Sequence, residues 1–290
     1  MNHPTRRNFA LAGIAAGAAA TLPMQLFGRN NFTFGVQLYT VRNVIGKNPE
    51  QVLRDIEGAG YKEIETGTDD LDAIWPALQK TSLKPVGVHL TAGLFLHTPE
   101  KLPAEFDRAK KYGFEYVGCP WVDVKDRNGA EGILKLAGAL NQAGKLAAER
   151  GLKFFYHNHA FEFAPAEGGS GTLFDLLMKN TDPKLVSWEM DIFWVSVTGN
   201  DPIDLFHKYP GRAKLLHIKD LAANTPKRFD EQVARTAFKE AGQGTLDLKK
   251  ILRAATDAGV KHFFVEQDQT PGDPVASLKL SASYLKALEF

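Results

Sequence analysis

From Phe34 onward the chain repeats one phrase: an amphipathic helical stretch, a glycine, an apolar residue, a charged residue, then a short apolar run. The phrase stands at Gly60-Tyr61-Lys62, Gly113-Phe114-Glu115, Gly151-Leu152-Lys153 and Gly259-Val260-Lys261. Glycine just past a helix takes the left-handed conformation that closes the last turn, so each phrase predicts a helix-to-strand junction. The first helix also has a legible start. Asn48 can cap it, Pro49 suits its first turn, and Val52, Leu53, Ile56 and Ala59 recur at the spacing of one buried stripe.

Between the helices the apolar runs read FGVQLY, KEIET, PVGVHL, YVGCP, LKFFYH, LVSWEMD, AKLLHIK and HFFVE, eight in all. Near-continuous apolar strands alternating with helices fit a parallel sheet covered by those helices. Eight strand-helix units of about 30 to 35 residues use up the roughly 260 residues that follow an N-terminal leader. We therefore expect an α/β chain folded as a single (β/α)8 TIM barrel. No linker divides it, and the lack of a glycine-rich phosphate loop after the first strand argues against a dinucleotide-binding fold. Gly168-Gly169-Ser170-Gly171 reads as a flexible rim loop after the fifth strand.

The leader changes the picture. Thr5-Arg6-Arg7-Asn8-Phe9 resembles the twin-arginine export signal, and the Ala/Gly-rich stretch from Phe9 to Leu22 is too short and too weakly apolar to span a bilayer comfortably. We expect residues 1–28 to be an export signal, residues 29–290 to be the barrel, and the exported protein to be periplasmic and free of the membrane. Cys119 is the one cysteine, so no intrachain disulfide forms and stability rests on packing. A 44% hydrophobic composition is enough to build that core. The formal net charge of +1 gives no field that would recruit nucleic acid or an acidic membrane. Oligomeric order is left open by the sequence.

Barrels of this kind place their chemistry at the C-terminal ends of the strands, where the loops open. Here those ends carry Glu65, His89, Cys119 with Trp121, His157 and His159, Asp191, His217 and Glu266. Burying such a ring without compensation costs several kcal/mol per charge, so a divalent cation is the simplest partner. His157 and His159 are two residues apart and face one side of a strand, leaving Asn158 toward the helices. Alternation also puts Lys219 on the face of His217, within reach of a substrate oxygen. Carboxylates mixed with imidazoles suit Mn²⁺, Mg²⁺, Zn²⁺ or Co²⁺, and the lack of thiolates argues against a structural zinc.

In order along the chain, FGVQLYTVR, YHNHAFEF, MDIFWVSVTGNDP, LLHIKD, GQGTLDLKKIL and FFVEQD resemble the xylose isomerase-like TIM-barrel family of sugar isomerases and epimerases. The resemblance covers nearly the whole mature chain. It implies one divalent metal held by Asp191, His217 and Glu266. For the fourth ligand two candidates stand: Glu162, which we favour, leaving His157 and His159 free to move protons, or His157 itself in place of the glutamate many relatives carry. Trp121, Trp194 and Tyr39 are candidate sugar-packing aromatics, with Glu65, His89 and Lys219 as further substrate contacts.

The activity expected is metal-assisted proton abstraction next to a carbonyl, through an enediolate, with Glu266, His157 or His159 moving the proton. Returning the proton gives an isomerase or epimerase; expelling a β-substituent gives a lyase. Export favours a non-phosphorylated sugar, keto-sugar or 3-keto-glycoside as the small-molecule substrate. Two rivals were weighed. A phosphodiesterase acting on abasic sites needs more ligands and a basic face. A non-catalytic periplasmic sugar-binding protein has no use for an intact Asp191, His217 and Glu266 set.

Overall fold

The eight apolar runs become eight barrel strands in a computed structural model that describes residues 32–68, 71–168 and 171–289. The leader expected at residues 1–28 and the Gly169-Ser170 tip of the rim loop lie outside the described residues. In chain order the strands are β1 (Gly35–Gln37), β2 (Glu63–Gly67), β3 (Lys84–His89), β4 (Tyr116–Cys119), β5 (Lys153–His157), β6 (Val186–Asp191), β7 (Ala213–Ile218), β8 (Asp220–Leu221), β9 (Phe238–Lys239) and β10 (His262–Val265). Strands β1 to β7 and β10 close a parallel barrel, β1 pairing with both β2 and β10. The two-residue strands β8 and β9 form an antiparallel pair of their own.

The junction glycines behave as predicted. Gly60, Gly113, Gly151 and Gly259 have φ of 105°, 80°, 73° and 88°, a region that a side chain disfavours. The helix Pro49–Ala59 starts where expected, Asn48 Oδ1 accepting from the Gln51 N–H at 3.2 Å, with Val52, Leu53 and Ile56 buried and Ala59 half-buried. One boundary differs: Leu38–Val41 turns into a 3-10 helix, so the first strand is shorter than its apolar run. Tyr39 is thereby swung out to the rim.

Side-chain alternation sorts each strand into two faces. Outward residues such as Val36, Ile64, Val117, Phe154, Trp188, Leu216 and Phe263 join the main core beneath the helices. Inward, Val86, Tyr116, Phe155, Leu215 and Phe264 form a separate apolar plug inside the barrel. Two residues further along the strands the interior turns polar. Gly87 makes room for this change, because a Cβ there would meet the Glu65 carboxylate. Among the described residues no helix is long and apolar enough to cross a membrane.

Candidate metal centre

Above the apolar plug, one turn of the barrel interior carries Glu65, His89, His157, Glu189 and His217, all with their side chains buried or nearly so. The register sets His157 beside Glu189 and Asp191 beside His217. The two imidazoles are held from below: Glu189 Oε2 lies 3.1 Å from His157 Nδ1, and Glu65 Oε2 lies 2.6 Å from His217 Nε2. His89 Nε2 sits between the same two acids, 2.9 Å from Glu189 and 3.2 Å from Glu65. Gln37 Nε2 donates to Glu65 at 2.9 Å.

The other nitrogen of each ring faces the mouth. His217 Nδ1 is 2.9 Å from Glu266 Oε2 and 3.8 Å from Asp191 Oδ2, while His157 Nε2 is 3.7 Å from Asp191 Oδ2. Carboxylates that grip the far nitrogen of an imidazole fix its rotamer and orient the near one, the usual support of a histidine that binds metal. Asp191 is itself fixed. Its Oδ1 caps the helix Ile192–Val197, accepting from the N–H of Phe193 and Trp194, and its backbone N–H donates to Asn158 Oδ1 at 3.1 Å. Asn158 Oδ1 also accepts from Trp188 Nε1 at 2.8 Å, which ties β5 to β6 outside the barrel.

One ligand atom each from His157, Asp191, His217 and Glu266 lies within 4.8 Å of the others, and all four side chains are buried. Asp191 Oδ2 pairs with the Lys219 ammonium at 2.8 Å and lies 3.7 and 3.8 Å from the nearer nitrogens of His157 and His217. Two carboxylates and two imidazoles converging in one buried place are a donor set that fits a divalent ion. The electrostatics agree. Burial pushes the Asp191 carboxyl up to about 6, against the pull of Lys219 and His217. Burial also opposes charge on Glu266, but Lys219 and His217 outweigh it and hold Glu266 well below the carboxylate range. Burial and the neighbouring His217 keep His157 well below its ordinary value, so its ring is neutral and carries a free lone pair.

A second group, His89, His157, Glu189 and His217, meets the same 4.8 Å limit one layer deeper. It shares His157 and His217 with the upper group, and its one acid, Glu189, already lies against their inner nitrogens, 3.1 Å from His157 Nδ1 and 3.4 Å from His217 Nε2. These contacts make the deeper layer a brace for the upper one.

Glu162, Glu65 and Lys219 lie elsewhere than the sequence places them. Glu162 stands apart from both groups: it lies in the 3-10 turn Phe161–Phe163, accepting from Tyr156 Oη at 2.6 Å and from the His159 N–H at 3.0 and 3.1 Å. Tyr156 points outward from the strand that turns His157 inward, so the acid it holds is on the wrong side of the wall. Glu65, expected to touch substrate, lies instead beneath His217 and His89.

A cavity of about 590 Å³ opens above the quartet, lined in part by His89, His157, His159, Glu266 and Asp268, with Tyr39, Trp121 and Trp194 among its aromatic residues. Lys219 is behind that lining, its ammonium 2.5 Å from Glu266 and 2.6 Å from Asp268. Cys119 is buried, its thiol pushed up to about 12 chiefly by that burial. Glu189, Gln37 and Asp268 were missed by sequence reasoning, whereas Asn158 faces the helix side as expected. For Glu189 a signal existed: it is two residues before Asp191 and shares its face.

An inosose dehydratase of Clostridium tetani is 30% identical over 271 residues, spanning 82% of this chain and 88% of the relative. A sugar phosphate isomerase/epimerase from Parabacteroides distasonis superposes with a TM-score of 0.73 at 24% identity, covering 87% of this chain and 97% of the other. The 3-keto-D-glucoside 4-epimerase of E. coli superposes with a TM-score of 0.65 at 15% identity, covering 88% and 99%. The description xylose isomerase-like TIM barrel matches residues 53–288, which contain all four residues of the quartet, and the chain belongs to that family.

Proposed function

We propose that this protein is a divalent-metal enzyme that removes a proton next to a carbonyl on a non-phosphorylated, polyhydroxylated substrate such as a keto-sugar or 3-keto-glycoside. The observation that carries the reading is the buried quartet of His157, Asp191, His217 and Glu266, of which His157 and Glu266 line the cavity. Those four residues would hold the ion, and the ion would supply positive charge for the oxygen that gains electron density as the carbon loses its proton.

The chain's own residues do the rest. His159 lines the cavity beside His157, their ring centroids 5.1 Å apart, and its Nδ1 has no hydrogen-bond partner. Burial, reinforced by Lys219, holds this imidazole well below its ordinary value, so it is neutral and able to accept a proton. Glu162 fixes the His159 backbone, and Trp194 packs on the ring at 5.3 Å between centroids. The aromatic walls suit the C–H faces of a sugar. Arg235 is the only arginine or lysine among the described lining residues, which gives no basic cluster for a phosphate.

Return of the proton by His159 to the neighbouring carbon completes an isomerisation, and protonation of the original carbon on its opposite face by a second group completes an epimerisation. A second reading, delivery of the proton to a departing β-hydroxyl with loss of water, is favoured by the inosose dehydratases among the relatives. NMR of the Mg²⁺- or Zn²⁺-loaded enzyme with keto-sugars and 3-keto-glycosides in D₂O tests the shared step. Metal-dependent loss of one C–H signal is expected; a bound ligand whose protons all persist would point to a binding protein. The twin-arginine motif at Arg6-Arg7 supports a periplasmic place for this chemistry.

A further inference from the structure

Lys219 presents an ammonium group to three acids from inside the protein. The side chain is 2% exposed, and Nζ lies 2.8 Å from Asp191 Oδ2, 2.5 Å from Glu266 Oε2 and 2.6 Å from Asp268 Oδ2. The first two oxygens are the very atoms that face His217 Nδ1. The third belongs to a residue outside the quartet, on the cavity wall, whose backbone carbonyl is tied down by Arg42 Nη2 at 2.7 Å. One buried cation thus divides itself between two ligand carboxylates and one acid that has no place among the ligands.

We propose that Lys219 is an internal cation that competes with the divalent ion for Asp191 and Glu266, and that Asp268 is the positioning residue that draws the ammonium aside. The inference rests on the metal reading above and adds to it a control on affinity. Like charges a few Å apart in a poorly screened interior repel strongly, so an ammonium on two ligand oxygens weakens their hold on a second cation. Sharing the ammonium with Asp268 reduces that penalty without removing the positive charge that keeps a crowded acid cluster folded. The Trp194 ring centre lies 5.9 Å from Nζ.

The test is calorimetric titration of the metal-stripped full chain with Mn²⁺, for wild type, Lys219→Met, Asp268→Asn and the double variant. Lys219→Met should tighten Mn²⁺ binding by about tenfold or more, the scale on which neighbours of a metal site act. Asp268→Asn should weaken it by a similar factor, and that loss should shrink in the Lys219→Met background. A purely structural lysine predicts the opposite sign, weaker binding in Lys219→Met; that result, or no change, overturns the proposal. Lys219→Gln serves the same test should the methionine variant fail to fold, with tightening again expected and weakening again fatal. Absence of Mn²⁺ binding in every protein including wild type would overturn the metal reading and this inference together, whereas wild-type binding with the wrong sign in the lysine variants overturns this inference alone.

Discussion

His157 and Glu162 are five residues apart and sit on opposite sides of one strand end, and the difference in direction decides their roles. His157 faces Asp191 and His217; Glu162 faces Tyr156 and the backbone of His159. Burial pushes the Glu162 carboxyl up to about 7 even though Tyr156 and His159 donate to it. Glu162→Gln should therefore leave one metal ion per chain and slow turnover through a displaced His159. His157→Gln should cost at least about tenfold in metal affinity. Elemental analysis of the purified variants separates them, and loss of metal in Glu162→Gln alone would restore the glutamate to the quartet. That Asp191, His217 and Glu266 come together was legible because each follows a hydrophobic run, where a solvated residue is out of place. Glu162 falls outside their cluster because distance along a loop carries no information about direction. Glu189 was passed over although it shares the face of Asp191, and Asp268 because it lies past the end of its strand on the cavity wall.

At the scale of elements, glycines and caps made the barrel readable while the short strands stayed hidden. Junction glycines and an asparagine cap act within a few residues, so their signal survives in sequence. Strands β8 and β9 have two residues each, too few for any alternation, and their anchor is long-range. Asp220 Oδ2 accepts from the N–H groups of Gly242 and Gly244 at 3.0 Å, and Oδ1 from Leu221 and Leu246. That anchor joins the two motifs LLHIKD and GQGTLDL, whose co-occurrence in the sequence has here a physical cause. The helix Leu173–Asn180 offers a cleaner test of local physics. Thr172 Oγ1 accepts from the Asp175 N–H at 3.1 Å and Asp175 Oδ2 accepts from the Thr172 N–H at 2.8 Å, a reciprocal cap. Thr172→Ala should cost about 1 kcal/mol in denaturant unfolding. Burial raises the Asp175 carboxyl, but Lys208, Tyr209 and Thr172 outweigh it and bring it down to about 2. A folded value below the unfolded one means stabilisation that is complete above the ordinary aspartate range and lost as pH falls toward 2. Wild type should lose stability between about pH 5 and pH 2 more steeply than Asp175→Asn, and parallel curves would contradict this.

For the whole molecule, layering is the feature that matters: an apolar plug, a belt of acids and imidazoles that orient one another, and the candidate ligand quartet beside a cavity. The barrel itself was legible because eight helix-strand repeats leave few alternatives. The division of the polar interior into a bracing layer and a binding layer was not, since it depends on register between strands far apart in sequence. The proposed export is likewise a matter for the whole chain. Replacing Arg6 and Arg7 together by lysine should leave the protein in the cytoplasmic fraction, and unchanged periplasmic recovery would contradict the signal assignment.

The proposed chemistry needs one divalent ion held by the quartet. Anomalous diffraction from crystals grown with Mn²⁺ locates that ion. A single strong peak per chain is expected, at bonding distance from His157, Asp191, His217 and Glu266. A peak against Glu162, a peak in the deeper group around His89 and Glu189, or no peak at all would contradict it.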